Sequence, residues 1–157
     1  MRVYCRGSDR KSQKLAKDIA KFCASKLMSQ RLAQKLTITI KFEKDLQGIE
    51  GDCEWLDEDL RPKDFIIRIS DNIPLSKKLK CICHEMVHVK QYARDEMKQM
   101  FRPYNTTRFM GQYYTDDMDY WEQPWEIEAY GREPGLYTNW VDSNNYTNDP
   151  ELDTRMI

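Results

Sequence analysis

No apolar run in these 157 residues is long enough to span a bilayer, and the opening MRVYCRGSDRKSQK lacks the apolar core of a secretory signal. A cytoplasmic chain is expected, with no membrane among its partners. Charge of one sign is missing too. The 25 basic residues face 26 acidic ones, a net charge of −1, so no bulk field draws the chain toward nucleic acid. The five cysteines contain no Cys-x-x-Cys pair, which removes the zinc-ribbon class. Their odd, scattered placement at Cys5, Cys23, Cys53, Cys81 and Cys83 does not read as a disulfide framework, and it fits a reduced compartment. No internal repeat or low-complexity tract occurs, and histidine is present in only two copies.

What is present describes one soluble domain. Hydrophobic residues make up 40% and charged residues 32%, and the length supports one core but not two. Residues 11–29 place Leu15, Ile19, Phe22, Cys23 and Leu27 on one stripe, predicting an amphipathic helix. LTITIKF then alternates: Leu36, Ile38, Ile40 and Phe42 face one way, Thr37, Thr39 and Lys41 the other, as a half-buried strand does. GDCEWLD and DFIIRIS predict two further strands joined by the turn-rich EDLRPKD.

SDNIPLS supplies Ser and Pro as helix-start signals, and a long helix is predicted over 76–97. Residues 98–123 are aromatic and polar, with short strands around RFMGQYY. A shorter helix is predicted from Pro124, where proline suits the first turn, to Gly131 or slightly beyond. The polar stretch from Val141 reads as a poorly ordered tail, leaving the domain at residues 1–140. The order of helix, sheet, long helix, loop and short helix is α+β.

Both histidines fall in CICHEMVHVKQY, residues 81–92, four positions apart. On an α-helix that spacing turns the side chains by only about 40°, so both imidazoles can reach one ion. Glu85 lies between them but is rotated away, toward a water at the ion rather than the ion itself. That is the mechanical content of H-E-x-x-H: two ligands, His84 and His88, with Glu85 as general base. Leu79, Ile82, Cys83, Met86, Val87 and Ala93 form an apolar stripe, and the histidines project nearly opposite, in line with Gln91 and Asp95. A helix that merely coats a core would carry Lys or Glu there, so a cleft is expected on that side.

A catalytic zinc takes three protein ligands and a structural zinc four, and the chain has no third histidine. Asp, Glu or Cys must complete the set, which excludes types whose third ligand is His. YWEQPWEIEAYGRE, residues 120–133, offers Glu126 and Glu128 just inside the second helix. Two residues apart, they point to roughly opposite sides, so at most one binds. Glu126 shares its face with Ala129, small enough for close packing, and with Tyr130 and Glu133, whereas Glu128 can pair with Arg132 one turn on. Glu126 is favoured. The rival is Cys53 in IEGDCEW, since deformylases complete H-E-x-x-H with an upstream cysteine in an E-G-C-like setting. Here an Asp separates Gly from Cys, and alternation with Trp55 reads Cys53 as a core-facing strand residue. Cys81 and Cys83 are read as structural.

Together, CHEMVHVKQYARDEM and YWEQPWEIEAYGRE resemble a group of small metallopeptidase-like proteins of bacteriophages and bacteria, over roughly residues 65–133. More broadly the pair is similar to the gluzincins, whose E-x-E-A segment supplies the third zinc ligand from its first Glu. The resemblance implies a zincin-like α+β domain, with zinc held by His84, His88 and Glu126 and with Glu85 as base. It implies peptide or protein substrates and, for a phage-encoded chain, work in the host cytoplasm. Several gluzincins carry an acidic or amide residue directly after E-x-E-A. Here Tyr130 stands there, and that outer role is left unassigned.

The expected chemistry is peptide-bond hydrolysis by a zinc-activated water, with a phenol among Tyr113, Tyr114, Tyr120 and Tyr130 available to an oxyanion. If DFIIRIS forms a sheet edge, a peptide can align beside it. Two alternatives stand beside this reading: a metal-stabilised binding protein without catalysis, and a deformylase- or amidase-like hydrolase using Cys53.

Overall fold

The chain begins with a strand that its sequence did not announce: Arg2–Arg6 forms β1, ahead of the first helix. Five residues reading Arg-Val-Tyr-Cys-Arg are too short and too charged to carry a periodic signal, and pairing with a neighbour supplies what pattern does not. The computed structural model describes residues 1–103 and 105–156.

Helix α1 spans Arg10–Leu27, with the Asp9 carboxylate accepting from the Ser12 amide as its N-cap. A single turn, α2 (Gln30–Ala33), leads into β2 (Thr37–Glu43), then β3 (Gly51–Trp55) and β4 (Asp64–Ser70). The sheet order is β1-β2-β4-β3, with β1, β2 and β4 parallel and β3 antiparallel at one edge. The sheet is therefore mixed, and DFIIRIS is an interior strand of it, not an edge. On that side the edge belongs to β3, because its hairpin returns on the outer side of β4, and β1 forms the opposite edge. The burial of β2 and β4 alternates along both strands: Ile38, Ile40, Phe65 and Ile67 are sealed while their neighbours are only half-covered. Helices therefore cover one face alone.

That cover is α1 and α3 (Leu75–Ala93), packed on each other and on the sheet. Helix α3 stops four residues short of the expected Met97. Asp95 turns left-handed at φ 57°, and the Glu96 amide bonds back to the Gln91 carbonyl, closing the end as a Schellman turn does. Met97 instead opens β5 (Met97–Met100), which pairs antiparallel with β6 (Thr106–Phe109), and β6 with β7 (Gln112–Thr115). Met110 and Gly111 both take positive φ, as a two-residue hairpin joining β6 to β7 requires.

Following a 3₁₀ turn at Tyr120–Glu122, α4 covers Pro124–Ser143. It starts where proline places it but runs far past Gly131, with Pro134 and Gly135 inside. These residues cost a helix on the order of 1 kcal/mol per glycine and 3 kcal/mol for proline. Leu136, Tyr137, Trp140 and Val141 form a buried stripe that outweighs the cost, and the Trp140 indole N–H donates to Asp18 of α1 at 2.8 Å. The stretch from Val141 thus starts inside a helix. Beyond it the chain folds back so that Leu152 is buried, its carbonyl accepting from the Tyr137 hydroxyl at 2.5 Å. Among the described residues the architecture is α+β, with four α-helices on and around one mixed and one antiparallel sheet. Among the described residues no helix is long and apolar enough to cross a membrane.

Candidate metal centre

The face of α3 that carries the histidines is not open to solvent. Helix α4 lies against it, so His84, Glu85 and His88 are all buried. Fully buried Ala129, one turn beyond Glu126, allows the close approach. Glu126 then reaches both rings: one carboxylate oxygen lies 3.1 Å from His84 Nε2 and the other 3.3 Å from His88 Nε2. A tetrahedral zinc with arms of roughly 2.0–2.1 Å requires donors about 3.3 Å apart. The two glutamate–imidazole distances match that spacing, and the ligand atoms of His84, His88 and Glu126 all lie within 4.8 Å of one another, so the three can converge on one ion. Among the described residues this is the one such cluster.

The rings are aimed from behind. His84 Nδ1 faces a Glu133 carboxylate oxygen at 3.3 Å, and His88 Nδ1 faces the Gln91 side-chain oxygen at 2.8 Å. With Nδ1–H donating to these acceptors, the Nε2 lone pairs are left for an ion. Gln91 is itself held, its amide donating to the Trp125 carbonyl at 3.0 Å and to Glu128 at 2.9 Å. Glu128 accepts from buried Lys90 at 2.6 Å and pairs with Arg132 at 3.0 Å, the pairing its spacing predicts. Of the two glutamates, Glu126 joins the cluster and Glu128 braces it. Neither outer partner of the imidazoles was assigned from the sequence, though both had a signal there. Gln91 sits one turn past His88, and Glu133 lies two turns past Glu126 on the same face. Glu133 is thus the carboxylate partner of His84 Nδ1, and the Tyr130 ring packs edge-on against the same imidazole.

Cys53 stays out of the cluster. It packs against the core from β3, and burial lifts its thiol well above the usual range. Cys83 is sealed against Cys23, sulfur to sulfur at 3.6 Å, and Cys81 borders a cavity with its thiol toward Glu50. Tyr113 is exposed on β7 and Tyr114 packs on Trp125, whereas Tyr120 and Tyr130 line that same cavity. Its volume is about 800 Å³, and His84, Glu85 and Gly51 also border it. None of the described hydrogen bonds or ion pairs engages Glu85. A Cβ on Gly51 would sit 3.5 Å from the Glu85 carboxylate and 3.1 Å from the Arg68 carbonyl, so glycine keeps that wall clear.

Burial raises the Glu85 pKa, and the neighbouring histidines only partly offset it, leaving it at about 7. For His84 burial acts downward, but the bonds to Glu126 and Glu133 outweigh it and lift the pKa to about 9. Glu126 shows the converse, with burial acting upward and the histidine bonds bringing it to about 2. Stability follows with definite signs. The His84 contribution is complete below 6.5 and is lost as pH rises to about 9. The raised Glu85 pKa costs the fold stability as pH rises from 4.5 to about 7. The Glu126 contribution is present above 4.5 and is lost as pH falls toward about 2. The melting temperature of the metal-free protein should therefore decline from about pH 5 to about pH 9. Because ligands must shed protons to bind, the extra stability conferred by added zinc should grow over the same interval. Thermal melts with and without zinc check both, and a metal-free melting temperature that climbs toward pH 9 would contradict them.

Replacing Glu133 by Gln or Ala should weaken metal binding about 10–100-fold, the usual cost of removing an outer carboxylate. Competition against a chromophoric chelator measures it, and an affinity unchanged within twofold would remove Glu133 from the site.

No family model matches the chain, and neither a curated protein nor a solved structure matches it. The fold and site define an α+β chain with a His-His-Glu cluster that can hold a metal ion.

Proposed function

We propose that this chain is a zinc-dependent metallopeptidase of the gluzincin type, a zincin-like domain acting in the cytoplasm on peptide or protein substrates. The observation that carries the reading is Glu85: a buried carboxylate without a protein partner, beside the ligand cluster and facing a cavity. A metal kept only for folding needs no such group.

His84, His88 and Glu126 would hold the ion. Bound there, zinc supplies a Lewis acid that polarises a carbonyl and makes water a nucleophile near neutral pH. Glu85 accepts the proton of the attacking water and delivers it to the leaving amine. Its pKa of about 7 in the metal-free site is set by burial, and a nearby cation lowers it into the base form. Tyr120 borders the cavity with His84 and Glu85, and burial, the Tyr130 hydroxyl and Glu126 push its pKa upward, so its protonated phenol is a donor available to an oxyanion there.

Substrate alignment follows from β3. The Ser70 amide bonds the Glu50 carbonyl and the Leu56 amide bonds the Asp64 carbonyl, so even-numbered residues of this stretch face β4. Gly51, Cys53 and Trp55 then direct their backbone groups to the free edge, beginning next to Glu85. An extended peptide pairs there with little regard to its sequence. The test is cleavage of a broad peptide library by the zinc-loaded protein, stopped by a chelator and restored by zinc. Intact peptides throughout would overturn the peptidase reading.

A further inference from the structure

We propose that Lys80 makes the cavity beside the metal cluster a subsite for a carboxylate, carried by a polypeptide on the C-terminal side of the bond at the metal. The inference rests on the peptidase reading for one premise, that polypeptide enters the cleft, and adds the charge that it carries there.

The direction of the bound chain comes from β3. A Cβ on Gly51 would lie 3.5 Å from the Glu85 carboxylate, and the Trp55 ring lies 4.8 Å from that of Tyr92. Strand β3 therefore runs alongside α3 in the same direction, from the level of Glu85 to that of Tyr92. A peptide paired antiparallel to its outer edge, the more stable of the two pairings, runs the other way. Its N-terminal residues lie toward Trp55, and its C-terminal residues pass Gly51. Beyond Gly51 come Glu50, Ile49 and Gly48, all bordering the cavity of about 800 Å³. What enters the cavity is thus the part of the substrate that follows the bond at the metal.

The charges around the cavity say what that part carries. Glu50 pairs with Lys77 at 2.6 Å, Glu133 faces His84, and Glu85 serves the water. Lys80 also borders the cavity, is half-buried, and has no carboxylate partner among the described residues. Its ammonium donates to the Thr154 hydroxyl at 2.9 Å and lies 5.2 Å from the centre of the Tyr137 ring, both neutral groups. An ammonium carries three donors on a flexible stem, so Lys80 can take a carboxylate without breaking an ion pair.

Range fixes which residue supplies it. Lys80 stands one turn before His84 on α3, about 6 Å along the axis. One residue of extended chain spans roughly 3.3–3.6 Å, so the carboxylate belongs to the first or second residue after the bond. A terminal carboxylate and an Asp or Glu side chain both meet that requirement.

The test avoids turnover. Zinc-loaded Glu85→Gln protein is titrated calorimetrically with three acetylated pentaalanine peptides. One ends in an amide, one in a free carboxylate, and one is amidated with a glutamate at its centre. At least one of the carboxylate peptides should bind about 10–100-fold more tightly than the neutral one, the range of a bond to a charged group. A preference for the free terminus assigns the subsite to trimming of chain ends, and one for glutamate assigns it to cleavage beside acidic residues. Lys80→Met and Lys80→Gln, the second keeping a donor for Thr154, should both erase the preference. Lys80→Arg should keep most of it, with circular dichroism and zinc content unchanged throughout. Equal binding of the three peptides overturns the subsite. So does a preference that survives loss of the Lys80 charge, which would put the carboxylate on the zinc. Wild type that cleaves no peptide sinks the peptidase reading alone, because this binding readout needs no turnover.

Discussion

Glu85→Gln is expected to lower peptide hydrolysis by about 10²–10⁴-fold, the range a general base contributes, while zinc remains bound at one per chain. Glutamine keeps the size and shape of the side chain but cannot accept the water's proton. Glu85 makes no hydrogen bond or ion pair among the described residues, so the substitution breaks no contact. Because burial already works against its charge, the neutral variant should melt no lower than wild type at or above about pH 7. Steady-state rates and melting curves measured on the same samples separate the two effects. A rate within threefold of wild type would remove Glu85 from the mechanism.

Lys90→Met should be the most damaging change outside the cluster. Lys90 is 3% exposed, yet its ammonium lies 2.6 Å from Glu128 and 2.9 Å from Glu96. Methionine fills much of the volume but removes the buried cation between the two carboxylates, leaving Glu128 with the exposed Arg132 and Glu96 with the exposed Arg94. Breaking a buried ion pair from one side costs about 3–5 kcal/mol. For a chain of this size that is a fall of roughly 6–20 °C in melting temperature. Metal affinity should drop as well, since Glu128 holds Gln91 and Gln91 holds His88. A melting temperature within 2 °C of wild type would show that the pair is solvated in solution.

The parts of this protein that could be read from its residues are those whose logic is local. Two histidines and a glutamate at fixed helical spacing identify themselves, and so do the alternation of LTITIKF and the proline that opens α4. The choice of Glu126 over Glu128 also rested on local geometry, since residues two apart on a helix point to different sides: both reach α3, Glu126 at the histidines and Glu128 at Lys90 and Gln91. What stayed hidden depends on partners distant in sequence. The strand β1 exists because β2 pairs with it, and α4 passes Gly131 and Pro134 because Trp140 and Tyr137 are buried against other elements. The end of α3 turns on one left-handed residue, Asp95, which no periodicity announces. Glu133 and Gln91 were visible as residues on the right faces. Their task appears only once α4 is docked and the imidazole nitrogens have somewhere to point.

The free edge shows the same limit. DFIIRIS has the apolar richness of a strand buried on one face, but nothing in its sequence says whether a neighbour lies on each side. Sheet order settled that, and moved the open backbone from β4 to β3.

The measurement that tests the centre most directly is metal content by mass spectrometry on wild type, Glu126→Ala and Glu128→Ala, purified in parallel and supplied with zinc. One zinc per chain in wild type and in Glu128→Ala, with none in Glu126→Ala, is the predicted result. Wild type without metal, or zinc retained by Glu126→Ala and lost by Glu128→Ala, would contradict the site of His84, His88 and Glu126.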